Sequence, residues 1–352
     1  MEKKITDTFN VPVNIVELWQ SARLRITDEF KTPPVILRVD ESIIGTLGNF
    51  SASTGKAKSK KTFNICAIVA AALTNVTVLN YNASFPDEKR KILYVDTEQS
   101  PFHCQRVLKR ILLLAELPTN TQPETLEFLS LRRFTPKIRL SIIEQAIYQT
   151  DSLGLVIIDG VRDLAYDINS PSEATELITK LMQWTDERQI HIHTVLHLNK
   201  GDDNTRGHLG TELNNKAETI LQVTRDEFDK NISSVTAKCI RDIDFDPFAF
   251  CINENSLPEL VEDYQPKQSA AAKSFDYHEV PEEKHREALE SLFANEESFT
   301  YALLIPKLKN AYSVLGYSFG TNKAKQLKTF LMNKRMILKE DKSYRYNPDF
   351  HY

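Results

Sequence analysis

Residues 55–62 read Gly55-Lys56-Ala57-Lys58-Ser59-Lys60-Lys61-Thr62, between a stretch that predicts a strand (49–54) and an apolar run that predicts a buried helix (63–73). This stretch follows the phosphate-loop pattern G-x-x-x-x-G-K-[ST], with Gly55 opening it and Lys61-Thr62 closing it at the right spacing. Backbone N–H groups at a strand–loop–helix junction cradle anionic phosphate. Lys61 is then expected to reach the β- and γ-phosphates, and the Thr62 hydroxyl to ligate Mg²⁺. One position departs from the pattern: Lys60 replaces the second glycine, where a missing Cβ would let the backbone approach phosphate. Lys60 adds charge beside Lys56 and Lys58, and a basic loop that binds nothing is the plainer alternative.

Downstream, two buried strand patterns end in acids: KILYV in Asp96 and LGLVI in Asp159. Ligands of open α/β sheets sit beyond the carboxyl ends of the strands. Asp159, after the wholly apolar strand, is expected to hold Mg²⁺ through water; the alternative is a loop-capping carboxylate. Glu98 lies two residues past Asp96 in DTEQS, placed to orient water at a γ-phosphate. His197 ends the strand pattern HIHTVLH and is a candidate γ-phosphate sensor, although a histidine there is more often structural.

The chain has 352 residues, with 41% hydrophobic and 26% charged, enough for a large domain plus a small one. The net charge of −4 carries no whole-chain basic signature, so any nucleic-acid contact must be local. Four dispersed cysteines without a Cys-x-x-Cys pair favour reduced thiols and a cytoplasmic setting over a zinc site. No apolar run approaches the roughly 18 residues of a membrane span, so no membrane association is expected. Strand and helix patterns alternate from residue 35 to about 198. Two further strand patterns, 219–224 and 233–240, lack a helix between them, so a mostly parallel sheet is expected to finish antiparallel. Residues 264–275 read as a linker, followed by three helical patterns (282–293, 298–311 and 319–334) and a closing hairpin. The expected organisation is a leader (1–34), an ATPase domain (35–263), the linker, and a winged-helix-like domain (276–352).

The order of GKAKSKKTF, ILYVDTEQSPFHCQRVL, LVIIDGVRDL and LHLNKGDDNTRGHLGTELNNKAET resembles the RecA-like ATPases encoded on mobile elements. It is similar to RepA-type and DnaB-type replicative helicases and, more narrowly, to the TnpC-like ATPases of mobilizable transposons. The resemblance spans about residues 35–255. It implies an α/β RecA-like P-loop core that hydrolyses ATP with Mg²⁺, works on DNA and forms a homo-oligomer, with a hexameric ring as one form. By position it implies Lys61 and Thr62 as the phosphate-loop pair, Glu98 as the water-activating acid, Asp159 as the metal acid and His197 as the sensor. The loop 199–210, with Lys200 and Arg206, resembles a nucleic-acid-facing loop. Lys238 and Arg241 resemble basic fingers that reach a neighbour's ATP, although their spacing differs by one residue from Lys-x-Arg.

The 319–335 stretch carries Lys323, Lys325, Lys328, Lys334 and Arg335 and no acid, a composition suited to phosphate contacts by a helix-turn-helix. An ordinary solvated helix is the alternative. Three functions compete on these residues: a DNA-stimulated ATPase, a nucleotide-gated DNA-binding regulator with little hydrolysis, and a small-molecule P-loop kinase. The kinase lacks a lid-type arginine cluster.

Overall fold

Alternation of apolar strands with amphipathic helices gives one large sheet covered on both faces. The computed structural model describes residues 14–198, 207–226, 229–262, 264, 275–317 and 319–350. The chain divides into two units, Met1–Pro266 and Lys267–Tyr352.

The first unit begins with α1 (Ile15–Ser21), whose N-terminal amides are capped by the Asn14 side chain and which buries no residue. Strands β1 (Val35–Val39) and β2 (Ser42–Thr46) then pair antiparallel. After them come β3 (Phe50–Gly55), α2 (Lys61–Thr74), β4 (Thr77–Val78) and β5 (Tyr81–Ala83). Next in the chain are β6 (Lys91–Asp96), α3 (Pro101–Leu114), β7 (Leu126–Ser130), α4 (Pro136–Gln149) and β8 (Leu153–Asp159). The unit ends with α5 (Pro171–Arg188), β9 (His191–His197), α6 (Gly207–Lys216), β10 (Thr219–Arg225), β11 (Ile232–Ile240), β12 (Phe248–Ile252) and β13 (Pro258–Leu260).

The large sheet has the order β13-β12-β11-β10-β3-β9-β8-β6-β7. From β10 to β7 every pairing is parallel, and β11 to β13 are added antiparallel. This is the mostly parallel α/β core with an antiparallel finish that the sequence implies. Helices α2 and α3 cover one face, and α4, α5 and α6 cover the other. Strands β3, β8 and β6 are buried along nearly their whole length, which explains their unbroken apolar or small-residue runs.

Several elements depart from the sequence reading. The strand at 35–39 does not join the large sheet; it enters a small antiparallel one of order β2-β1-β5-β4 that packs over α2. Gly207 to Gly210, expected as loop, form the first turn of α6, with Leu209 and Leu213 buried. Strands β12 and β13 extend the sheet beyond the two late strands expected.

The second unit runs α7 (Glu282–Phe293), β14 (Ser298–Thr300), α8 (Tyr301–Val314), α9 (Thr321–Asn333), β15 (Ile337–Glu340) and β16 (Ser343–Tyr346). Its sheet has the order β14-β16-β15. Residues 298–300, expected as the start of a helix, instead pair with β16. Most of the expected linker lies outside the described residues. Its last residue, Phe275, is buried in this unit and stacks on Phe319 at 4.0 Å.

Ile158 is fully buried between β8 and its covering helices. Ile158→Ala should cost about 2–5 kcal/mol of folding stability, read as a lower denaturant midpoint; an unchanged midpoint would contradict this packing.

Candidate nucleotide site

Strands β3, β9, β8 and β6 are neighbours, and their carboxyl ends carry Gly55, His197, Asp159 and Asp96. Register aligns them, with Gly55 beside His197 and Asp96 beside Asp159. Residues far apart in sequence therefore converge on one cleft of about 390 Å³. Its walls include the Lys58–Phe63 loop, Glu98, Asp159 and His197.

The loop is held by its own residues. Lys56, Ala57 and Lys58 are exposed, whereas Ser59 and Lys61 are buried. Lys61 Nζ donates to the carbonyls of Gly55 (2.8 Å) and Lys56 (3.0 Å) and to His197 Nδ1 (3.0 Å). Burial lowers the Lys61 pKa to about 8, opposed by Asp159 and Glu98. Ser59 Oγ is buried with no hydrogen-bond partner among the described residues. An orphaned hydroxyl in a cationic loop fits a site for an anion.

Lys60 precedes α2 in the left-handed region, at φ 65° and ψ 29°. That conformation costs a side-chain-bearing residue about 1–2 kcal/mol relative to glycine. The loop therefore takes up a glycine-like backbone in spite of the substitution. The Lys60 ammonium turns outward to the Asn231 carbonyl in the β10–β11 turn, at 2.5 Å.

Asp159 is almost fully buried and accepts from Thr62 Oγ1 (3.1 Å) and Tyr94 OH (2.9 Å), both at Oδ2. Burial raises its pKa to about 6, with the neighbouring Asp96 adding to the rise. A hydroxyl and a carboxylate side by side are oxygen donors of the kind Mg²⁺ takes, completed by water and phosphate oxygens. Among the described residues, no group of three or more His, Cys, Asp or Glu side chains is placed to hold a metal ion.

Asp96 does different work from Asp159. Its Oδ1 accepts from the amides of Glu98 (2.9 Å) and Gln99 (2.7 Å), which fixes the turn that presents Glu98. The Glu98 carboxylate stands 3.6 Å from His197 Nε2 and is 42% exposed. His197 holds its pKa below the usual carboxylate range, opposed by burial and helped by Lys61 and Arg162. Gly160, at φ 100°, lets the chain pass under this acid; a Cβ there would come within 2.2 Å of Thr97 Oγ1 and 3.0 Å of Glu98 Cγ.

Sequence reasoning missed the wall supplied by α3. His103, Arg106 and Arg110 line the cleft, spaced three and four apart on one helical face directly after the Glu98 turn. That spacing was legible. The Arg110 guanidinium also lies 3.8 Å from the Phe63 ring centre and donates to the Ser256 carbonyl. Tyr94 was missed as well, although it sits two residues before Asp96 on the same face of β6.

Lys238 and Arg241 do not line this cleft. β11 runs antiparallel to β10, and Ile240 pairs with Thr219, at the end opposite the loop. Arg241 donates to the Lys216 carbonyl. Lys200 and Arg206 lie outside the described residues. On α9, Lys325 is exposed, whereas Lys323 and Lys328 are half-buried, the first over the Tyr277 ring and the second between Tyr301 and Tyr344.

Residues 23–203, half of the chain, match a family described as an AAA domain. The chain belongs to that AAA domain family. Its matched region carries the loop, Glu98, Asp159 and His197. Among solved structures, the RadB recombinase is similar, with TM-score 0.43 and 15% identity over 61% of this chain and 92% of that one. So is a KaiC-like protein from the archaeon Pyrococcus horikoshii OT3, with TM-score 0.44 and 13% identity over 61% and 90%. No curated protein matches the sequence. Among the described residues, no helix of this AAA domain protein is long and apolar enough to cross a membrane.

The raised Asp159 pKa has a consequence for stability. Between its ordinary value of 3.8 and about 6, the folded chain keeps a proton that the unfolded chain has lost. Stability therefore falls as pH rises through that window. Asp159→Asn should melt above wild type by a margin that opens between about pH 4 and about pH 6 and then levels. A margin independent of pH would contradict the buried carboxylate.

Proposed function

We propose that this chain binds Mg·ATP in the cleft, hydrolyses it, and couples the reaction to DNA. The observation that carries the reading is the convergence of Lys61, Thr62, Asp159, Glu98 and His197 at the ends of adjacent strands.

In this reading the amides of residues 55–62 cradle the phosphates, and the orphaned Ser59 hydroxyl gains a partner. Lys61 exchanges loop carbonyls for β- and γ-phosphate oxygens. Thr62 and, through water, Asp159 would hold Mg²⁺, which would supply positive charge to offset that of the phosphates. Glu98, kept ionised by His197, orients a water molecule in line with the γ-phosphate and accepts its hydrogen bond. A P–O bond to the attacking water forms as the bond to the ADP oxygen breaks. His197 bridges Lys61 and Glu98, so it can report to both on the γ-phosphate.

Lys238 and Arg241 sit away from their own cleft, so a finger role requires a second copy; we propose a homo-oligomer, with a ring as its simplest closed form. Lys200 and Arg206, which follow β9 in the sequence, are proposed DNA contacts. In the second unit, the order α7-β14-α8-α9-β15-β16 supports reading it as a winged helix, with α9 as the helix presented to DNA. Lys325 is its free-standing phosphate contact. Lys323 and Lys328 would act from the edges of aromatic rings. Replication, mobilisation or excision of a mobile element is the setting that the order of motifs suggests. The strained Lys60 backbone favours a second reading, a nucleotide-gated DNA-binding regulator with little turnover.

Steady-state turnover separates the two. ATP hydrolysis should rise on addition of single- or double-stranded DNA. Glu98→Gln should bind nucleotide as wild type does but lose turnover by about a hundredfold or more. Equal turnover by wild type and variant would overturn the role of Glu98, and no turnover by wild type with intact nucleotide binding would favour the regulator.

A further inference from the structure

Two fully buried histidines are left unused by this chemistry. His191 and His193 lie on the same face of β9 as His197, since side chains alternate along a strand. Facing them, Ser51 and Ser53 project from β3, with Ser51 in register with His193 and Gly55 with His197. These side chains form one continuous path. Ser53 Oγ lies 2.8 Å from His193 Nε2, and His193 Nδ1 lies 2.7 Å from Ser51 Oγ. Ser51 Oγ lies 2.7 Å from His191 Nε2, and His191 Nδ1 lies 2.9 Å from the Thr46 carbonyl.

The direction of the path is forced. A carbonyl oxygen only accepts, so His191 carries its proton on Nδ1. Burial pushes both imidazoles below their ordinary range, His193 to about 3, which favours the neutral ring in each. His191 Nε2 must then accept from the Ser51 hydroxyl, and Ser51 Oγ must accept from His193 Nδ1–H. His193 Nε2 in turn accepts from Ser53. The fold makes room for this path: a Cβ at Gly45 would come within 2.8 Å of His191 Cε1 and Nε2. Its far end is anchored, because the Thr46 amide and hydroxyl donate to Glu218 at 3.0 and 2.9 Å.

We infer that Ser51, Ser53, His191 and His193 are positioning residues whose one-way hydrogen-bond path locks β9 against β3 and thereby sets His197 against Lys61. The inference rests on the ATPase reading for its effect on turnover but not for its geometry. Apolar side chains could fill the same space, but they would not dictate register. A slip of two residues that set Ser51 beside Val195 would leave buried ring nitrogens unpaired, which is unfavourable away from water. Four residues along the same two strands, Gly55 and His197 flank the buried ammonium.

Long-range nitrogen–proton spectra of the labelled full-length chain at neutral pH read the path directly. His191 and His193, assigned through His191→Gln and His193→Gln, should both be neutral with the proton on Nδ1. His197, whose Nδ1 accepts from Lys61, should carry its proton on Nε2. In parallel, Ser51→Ala should lower kcat on the order of tenfold with nucleotide Kd unchanged, and Ser51→Thr, which keeps the hydroxyl, should recover part of the loss. Either buried histidine found protonated or carrying its proton on Nε2 would overturn the path, and wild-type kcat in Ser51→Ala would overturn its positioning role. Should the wild type bind nucleotide without turnover, the hydrolysis reading fails while the spectra still decide whether the strands are locked in this way.

Discussion

A buried ammonium group organises the carboxyl end of the central sheet. Lys61 has lost most of its water, and removing a charge from water costs several kcal/mol unless acceptors replace it. Three acceptors do so: two loop carbonyls and His197 Nδ1. Each has a structural consequence. The carbonyls curl residues 55–61 back on themselves, and the imidazole ties the loop to β9. Through its other nitrogen, His197 faces Glu98, so the loop, β9 and the acid are set by one charge. Asp159 follows a related logic. Held in a dry position by Thr62 and Tyr94, it is a carboxylate kept at electrostatic expense.

Much of this was legible because local chemistry is strict where phosphate is concerned. The spacing of Gly55, Lys61 and Thr62 gave the loop, and the apolar runs ending in Asp96 and Asp159 gave two adjacent strand ends. What could not be read was pairing between distant segments. The strand at 35–39 has the composition of any short strand; only its partners at 42–46 and 81–83 place it in a separate sheet. The first turn of α6 contains two glycines and so reads as loop, yet Leu209 and Leu213 anchor it through burial. Asp96 and Asp159 look alike in sequence. They differ because one accepts backbone amides and the other faces Thr62.

Lys60 shows how a departure from a pattern can be absorbed. The pattern asks for glycine because the backbone there is left-handed, and that backbone is present with lysine in place. Its ammonium points to the β10–β11 turn, so the extra charge adds to the rim of the cleft more than to its floor. The second unit makes a related point. A run of lysines on α9 reads as a uniform basic face, but two of the three candidates lean on tyrosine rings and only Lys325 stands free. Aromatic residues scattered over 277, 301 and 344 decide this, and no local pattern reveals them.

In the proposed reading, residues 55–62 close around a triphosphate. Calorimetric titration of the full-length chain with a non-hydrolysable ATP analogue and magnesium tests it most directly. The expected result is saturable one-site binding that disappears in Lys61→Ala. No heat of binding to folded wild-type protein, or equal affinity in the variant, would contradict it.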